Sequence, residues 1–225
     1  MSNKLTKYKF KILATESFRN GLRLHFDSIE LYNIKSYPTA CQLSILALEE
    51  FSKSYWIEHY YYSSITNTGF PDEDFEQDWL KLLYSHTQKH KAFVGWGWEF
   101  DYNDSFVESL RNGKIEQLKQ DCAYVGLRRI KNRIETKGRI STPFRIKSTD
   151  SKKLISVLND YLIDRCDMKK FYECHFEIKE KDDLLNDDLY HKLQKWKYRS
   201  GLRKTALFRN RIKKQELIID KATNP

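Results

Sequence analysis

The chain has 225 residues, a net charge of +9 at neutral pH, and 40% hydrophobic and 14% aromatic residues. Its length allows one large domain, or a domain with an appendage, and the apolar content is sufficient for a core. Only 8 Gly and 4 Pro are present, which argues against a turn-rich β-sandwich and against a Gly-rich nucleotide-binding fold. With 32% charged residues and so few helix breakers, the composition predicts an all-α protein made of long amphipathic helices.

The sequence carries no recognisable targeting or membrane signal. Residues 1–12 are basic, but no apolar stretch of about 7–15 residues follows them, so we expect no signal peptide. No run of about 18 apolar residues is present, so we expect no membrane span and no membrane partner. The four cysteines form no C-x-x-C pair, so we expect no metal site and no disulfide framework. These features predict a cytoplasmic protein.

The first two predicted helices form an antiparallel hairpin. Apolar residues at helical spacing predict a first helix that begins near Thr15 or Ser17, either a good N-cap, and ends around 33–37. Pro38 suits the first turn of a second helix, which runs to about Ser63. The short connection between them predicts the hairpin.

Further helices follow with irregular connections between them. We predict a loop over 67–74, a third helix over 75–93, a fourth over 105–118 with a candidate break at 112–113, irregular or extended chain over 124–146, a helix capped at Asp150, an acidic connector over 180–188, and a basic tail helix interrupted at Gly201. As domains, we predict a helical bundle over 1–172, followed by an acidic connector and a basic helical appendage over 173–225.

The excess positive charge lies in the tail. Residues 190–225 contain eleven Lys and Arg against only Glu216 and Asp220, so the tail accounts for the whole net charge. A basic helix with aromatic residues between its cations favours contact with the phosphate backbone of RNA or the ribosome, although a solvated helix face has a similar composition. The candidate RNA-binding residues are Lys195, Lys197, Arg199, Arg203, Lys204, Arg209 and Arg211.

A glutamate on the second helix is the first candidate for chemistry. Glu50 shares a helical stripe with Ala40, Leu43 and Ala47, and a carboxylate buried there needs a partner. Lys53 lies three residues on, within reach on the same helix face. We therefore expect Glu50 to point inward and Glu49 to be the outward member of the pair.

A histidine on the third helix is the second candidate. His86 is in phase with Trp79 and Phe93, and Lys89 follows it by three residues. A packed bundle can place His86 beside Glu50 and Lys53, where the three groups would shift one another's pKa values. Such a cluster can do acid–base chemistry on RNA, or it can be a satisfied buried network.

Other catalytic signatures are absent. The chain has no G-x-x-x-x-G-K-[ST], G-x-G-x-x-G, G-x-S-x-G or H-E-x-x-H motif. We therefore expect no nucleotide cofactor and neither an ATPase, a dehydrogenase, a serine hydrolase nor a zinc peptidase.

Three segments resemble the AbiV family of abortive-infection proteins, which belongs to the wider HEPN group. The segment 37–53 reads YPTACQLSILALEEFSK, an aromatic-led helix follows with His86-x-x-Lys89, and Lys119-x4-Tyr124 precedes a valine. The resemblance runs from about Ser17 to Pro143. It implies a HEPN-like antiparallel helical bundle with additional C-terminal helices.

The resemblance also implies a function. AbiV-like proteins are phage-defence proteins, commonly homodimers, that arrest translation in infected cells after a phage product appears. Many HEPN proteins are metal-independent ribonucleases with an R-x(4–6)-H motif, but the only match here is Arg19-x5-His25. Six residues on a helix place the two side chains about 120° apart, so they should not converge. The site residues that we infer instead are Glu50, Lys53, His86 and Lys89, with Lys119 and Tyr124 next.

Three hypotheses remain open. The chain arrests translation by binding protein or RNA, with a phage-encoded activator protein as partner, and this hypothesis is favoured because the Arg/His motif is missing. Alternatively it is a metal-independent ribonuclease in which Glu50 or His86 transfers the proton. A weaker alternative is a nucleic-acid-binding regulator that acts through the tail alone.

Overall fold

A computed structural model describes residues 4–67, 69–94, 102, 104–127, 129–130, 133–172 and 178–198. Within these ranges the chain is all-α apart from one two-stranded hairpin, as predicted. The helices are α1 (Lys7–Asn33), α2 (Tyr37–Thr66), α3 (Glu73–Leu83), α4 (His86–Val94), α5 (Asp104–Arg111), α6 (Lys114–Ala123), α7 (Ser148–Tyr172), α8 (Lys179–Asp182) and α9 (Asp187–Gln194). The strands β1 (Arg129–Ile130) and β2 (Arg133–Ile134) and a 3-10 turn (Pro143–Arg145) lie between α6 and α7.

The antiparallel hairpin of α1 and α2 is the centre of the fold, as expected. The predicted start of α1 is wrong, because Thr6 caps the helix by accepting a hydrogen bond from the Lys9 backbone. Thr15 and Ser17 are instead buried where α1 crosses α2. At the same crossing, a Cβ on Gly21 would lie 2.6 Å from the Phe51 ring, so only glycine lets the two helices approach this closely.

Two of the predicted helices are each divided in two. The helix predicted over 75–93 ends at Leu83 and restarts at His86, so α3 and α4 are separate. The candidate break in the next helix is real, because Gly113 has a φ of 79° between α5 and α6, a conformation that glycine adopts without strain. These breaks let α4 and α6 pack against α2.

The segment predicted as an acidic connector is partly helical and packs on the bundle. It contains α8 and the start of α9. Leu185, Leu189 and Leu193 belong to the same buried cluster as residues of α2 and α7, and Asn159 of α7 donates a hydrogen bond to the Leu193 carbonyl. The division at residue 172 remains a prediction. No helix in the described ranges is long and apolar enough to cross a bilayer.

A buried ion network attaches α8 to α2 and α7. Glu58 on α2 forms salt bridges with Lys181 on α8 and with Arg165 on α7, the latter at 3.6 Å. All three side chains are at most 3% exposed. Burial lowers the pKa of Lys181 to about 8, although the Glu58 carboxylate raises it. Glu58 therefore supplies a negative charge between two buried cations, and the buried carboxyl of Asp182 lies in the same network.

A buried histidine predicts a pH dependence of stability. His25 is fully buried and lies 3.4 Å from the Asn159 amide oxygen, and burial lowers its pKa from 6.5 to about 4. The unfolded chain therefore binds a proton on His25 at a higher pH than the folded chain does. We expect its contribution to the free energy of unfolding to fall by ~3 kcal/mol as the pH drops from about 6.5 to about 4.

Denaturant titrations of wild type and His25→Gln across this range test the expectation. The stability difference between the two proteins should shrink as the pH falls, because only wild type carries the titrating group. A difference that stays constant between neutral pH and pH ~5 would contradict the assignment.

Candidate functional site

Glu49, on the central helix α2, is the focus of a polar cluster formed by three helices. Its side chain is 2% exposed, and α2 packs here against both α4 and α6. A buried carboxylate costs several kcal/mol unless partners compensate for its lost hydration. Both carboxylate oxygens of Glu49 have such partners.

The first partners come from α4. His86 Nδ1 lies 2.6 Å from Glu49 Oε2, and His90 Nε2 lies 3.1 Å from Oε1. Lys89 Nζ forms a salt bridge with Oε2 at 3.2 Å. The positions 86, 89 and 90 are three and four residues apart, so they share one face of the helix. That face is directed at Glu49.

The remaining partners come from α6. Lys119 Nζ lies 2.8 Å from Glu49 Oε1 and 2.7 Å from Glu116 Oε2. Glu116 and Lys119 are one helical turn apart, so the ammonium group bridges a carboxylate of its own helix and one of α2. Lys119 is 7% exposed and Lys89 is 8% exposed, so both ammonium groups are committed to Glu49 inside the bundle.

The surroundings keep Glu49 ionised. Burial raises the pKa of Glu49, but the hydrogen bonds from His90, Lys119 and His86 outweigh it and hold the pKa well below its usual range. Burial likewise raises the pKa of Glu116, and the contact with Lys119 reverses this. Two carboxylates and two ammonium groups balance, so the cluster is neutral when both histidines are neutral.

His86 is the member of the cluster that reaches solvent. Its side chain is 52% exposed. Because a carboxylate accepts and does not donate, Nδ1 carries the proton that binds Glu49, and the lone pair of the neutral ring lies on Nε2. Nε2 has no hydrogen-bond partner within the described ranges. A buried carboxylate that fixes the tautomer of an accessible imidazole is the arrangement of a general base.

Three groups of the cluster also have the chemistry of metal ligands. Glu49, His90 and Glu116 offer ligand atoms that all lie within 4.8 Å of one another. The ammonium group of Lys119 already bridges the two carboxylates. A divalent ion would have to displace this group. The two carboxylates as arranged therefore fit the lysine side chain rather than a metal ion.

The family of the chain follows from comparison with known proteins. The family model HEPN_AbiV, described as AbiV, matches residues 9–163, which include every residue of the Glu49 cluster. The chain belongs to the AbiV family. Comparisons with curated proteins and with solved structures give no match. Membership in the AbiV family implies abortive infection, and thus a role in phage defence.

In this AbiV-family chain the expected orientation of the two adjacent glutamates is wrong. Glu49 is buried, whereas Glu50 is partly exposed and pairs with Lys53 at 3.8 Å on its own helix. The cause is the environment of α2, which packs against α1, α4, α6 and α7. Its buried surface is therefore wider than the single stripe through Ala47 on which the sequence argument depended.

The structure brings some of the predicted AbiV-family site residues together and separates others. His86, Lys89 and Lys119 meet at Glu49. The Lys53 ammonium instead lies 5.9 Å from the centre of the Tyr84 ring, and Tyr124 is exposed after the end of α6.

The other candidates from the sequence lie elsewhere. Arg19 is exposed and pairs with Glu16, while His25 is buried, so the Arg19/His25 pair does not converge. Lys195 and Lys197 are exposed, and the remaining tail candidates lie outside the described residues, as does Gly201. His90 and Glu116 were not predicted from the sequence, although the spacing from His86 to His90 places both histidines on one face.

Proposed function

We propose that this AbiV-family protein arrests translation in infected cells after a phage product appears, and that it does so by acid–base cleavage of RNA at His86. The observation that carries the proposal is the exposed imidazole of His86, held through Nδ1 by the buried carboxylate of Glu49. The remaining partners of Glu49 keep that carboxylate charged and fixed in position. His86 is then oriented before any substrate arrives.

Cleavage of RNA by this route requires two proton transfers, one from the attacking hydroxyl and one to the leaving oxygen. A base removes the proton of the ribose 2′-hydroxyl as the bond from O2′ to phosphorus forms, and an acid protonates the 5′-oxygen as its bond to phosphorus breaks. His86 Nε2 would act as the base, and Glu49 would stabilise the imidazolium that results. A homodimer that brings two copies of His86 to one RNA would supply both the base and the acid. The proposed reaction therefore favours a homodimer as the active form.

A second candidate function is arrest by binding alone. The observation in its favour is that Lys89 and Lys119 are both buried against Glu49, so neither ammonium group reaches a phosphate. On this hypothesis the cluster is structural, and a phage polypeptide switches the contact between the bundle and the ribosome or its RNA.

Removing the imidazole tests the first candidate. In phage-infected cells we expect His86→Ala to lose RNA cleavage by about 100-fold or more, because a positioned proton-transfer group contributes 10²–10⁴-fold. Sequencing of RNA ends and pulse labelling of new protein, over the course of infection, measure cleavage and arrest separately.

The matched control is His191→Ala, which removes an exposed histidine on α9, outside the cluster. It should behave like wild type. If RNA ends are unchanged in wild type while protein synthesis stops, the proposal of RNA cleavage is wrong and the proposal of arrest by binding is supported. If His86→Ala cleaves as wild type does, His86 is not the base.

A further inference from the structure

The connection between α6 and α7 is strongly basic. We call residues 124–147 the basic arm. It contains eight Lys and Arg against the single acidic residue Glu135. Acidic residues elsewhere before the tail balance the positive charge of this segment. The arm is therefore a second basic element, separate from the tail.

The described part of the arm forms a hairpin that is anchored to α6. Strands β1 and β2 pair antiparallel, with Arg129 opposite Ile134. At the base of the arm, Gly126 and Ser141 exchange two backbone hydrogen bonds of 3.1 and 2.7 Å. The Ser141 hydroxyl also donates to Asp121 Oδ1 of α6 at 2.5 Å. The described cations of the arm thus lie on a hairpin that starts from the bundle.

The cations of the arm whose side chains the structure describes face solvent. Those with described side chains are all exposed, and none of them forms a salt bridge within the described ranges: Arg133, Lys137, Arg139, Arg145 and Lys147. Like charges on one short segment repel one another, so this arrangement lowers stability unless an anion binds. Their exposure and charge are those of a phosphate-binding surface.

Exposed aromatic rings accompany the cations. Phe144 is 93% exposed and Tyr124 is 64% exposed, one at each end of the arm. Neither ring contributes to the core, and both are open for stacking. Cations that track a backbone, combined with rings on which bases stack, are the two components of single-stranded nucleic-acid binding. A lipid surface or an acidic protein would use the cations but would not require flat, open rings.

We propose that the basic arm binds single-stranded RNA, the substrate of the reaction proposed at His86. This inference rests on the proposed function for the identity of the substrate. The arm and the cluster share α6, which carries Glu116 and Lys119 on one side and Asp121 at the base of the arm. The arm is therefore attached to the same helix that contributes Lys119 to the Glu49 cluster.

Direct binding tests the proposal. Fluorescence anisotropy of the purified full chain with a labelled single-stranded RNA of mixed sequence gives the Kd over a range of salt concentrations. The variant Arg133→Ala/Lys137→Ala/Arg139→Ala should raise the Kd at least tenfold at low salt. It should also lower the slope of log K against log salt by about 2, from ~0.7 for each lost phosphate contact. Phe144→Ala should raise the Kd about tenfold through lost stacking.

The matched control removes three exposed lysines elsewhere, as Lys7→Ala/Lys9→Ala/Lys179→Ala. It should change the Kd less than twofold. Circular dichroism confirms that each variant is folded. An arm variant with wild-type affinity overturns the proposal, and so does a control that weakens binding equally. Binding to anionic lipid vesicles without binding to RNA would also overturn it.

The arm proposal and the ribonuclease proposal can be overturned independently of each other. Binding of RNA by the purified wild type and cleavage of RNA in infected cells are measured independently. If wild type binds RNA, the arm variant does not, and nothing is cleaved, the arm proposal stands and the ribonuclease proposal falls. If cleavage depends on His86 but the arm variant binds normally, the reverse holds.

Discussion

Glu49→Gln should lower the free energy of unfolding by about 3–5 kcal/mol, the cost of removing one partner from a buried ion cluster. The glutamine keeps the shape of the side chain and loses its charge. Lys89, whose salt bridge runs to Glu49 at 3.2 Å, would then be a buried cation without that carboxylate. Chemical denaturation followed by circular dichroism measures the change.

The neighbouring Glu50→Gln is the matched control, since it removes the same charge from the same helix. Glu50 is partly exposed and pairs with Lys53 at 3.8 Å, so we expect a change of less than ~1 kcal/mol. Equal effects of the two substitutions would show that Glu49 is not the buried centre of the cluster.

The effect of Glu49→Gln also has a predicted pH dependence. Hydrogen bonds from His90, Lys119 and His86 overcome the effect of burial and hold the pKa of Glu49 below its ordinary value of 4.5. A carboxylate with a depressed folded pKa stabilises fully above its unfolded pKa and loses that contribution as the pH falls toward the folded value. The gap between wild type and Glu49→Gln should therefore narrow below pH 4.5, and a gap that widens there would contradict this assignment.

Helical periodicity predicts the α1–α2 hairpin because both helices are long and their connection is short. The two helices have 27 and 30 residues, so an error in the predicted position of one helix end does not change the prediction of a hairpin. The start of α1 is less predictable, since Thr6, Thr15 and Ser17 all have capping side chains, and only packing against α2 buries the last two. The break between α3 and α4 has no Gly or Pro to mark it, so it depends on the tertiary contact of α4 with α2.

The site illustrates the same limit. His86, Lys89 and Lys119 can be selected from spacing, because each lies on a helix face whose direction is predictable. The periodicity of α2 alone does not predict which of its two adjacent glutamates these side chains contact. Neighbouring positions differ by about 100°, and α2 is covered on several sides by other helices. Glu49 and His90 are therefore identified only once α4 and α6 are in place.

Glu58→Gln is expected to have an effect of similar size on the other side of α2. Its carboxylate lies between Lys181 and Arg165, which are both almost fully buried. Without that charge, the two cations repel each other in a region with little water, so we expect a loss of about 3–5 kcal/mol in the free energy of unfolding. The exposed Glu180 of α8 supplies the control, and Glu180→Gln should change stability by less than ~0.5 kcal/mol.

The two glutamates should act independently. Nine residues on a helix correspond to about 13 Å along the axis and about half a turn around it, so Glu49 and Glu58 lie on opposite sides of α2. Glu49 contacts α4 and α6, whereas Glu58 contacts α7 and α8, and the two share no salt-bridge partner among the described residues. The double variant should therefore lose the sum of the single losses to within ~0.5 kcal/mol. A larger deviation would mean that α2 couples the Glu49 cluster to the attachment of α8, in which case a partner that moves α8 would also act on His86.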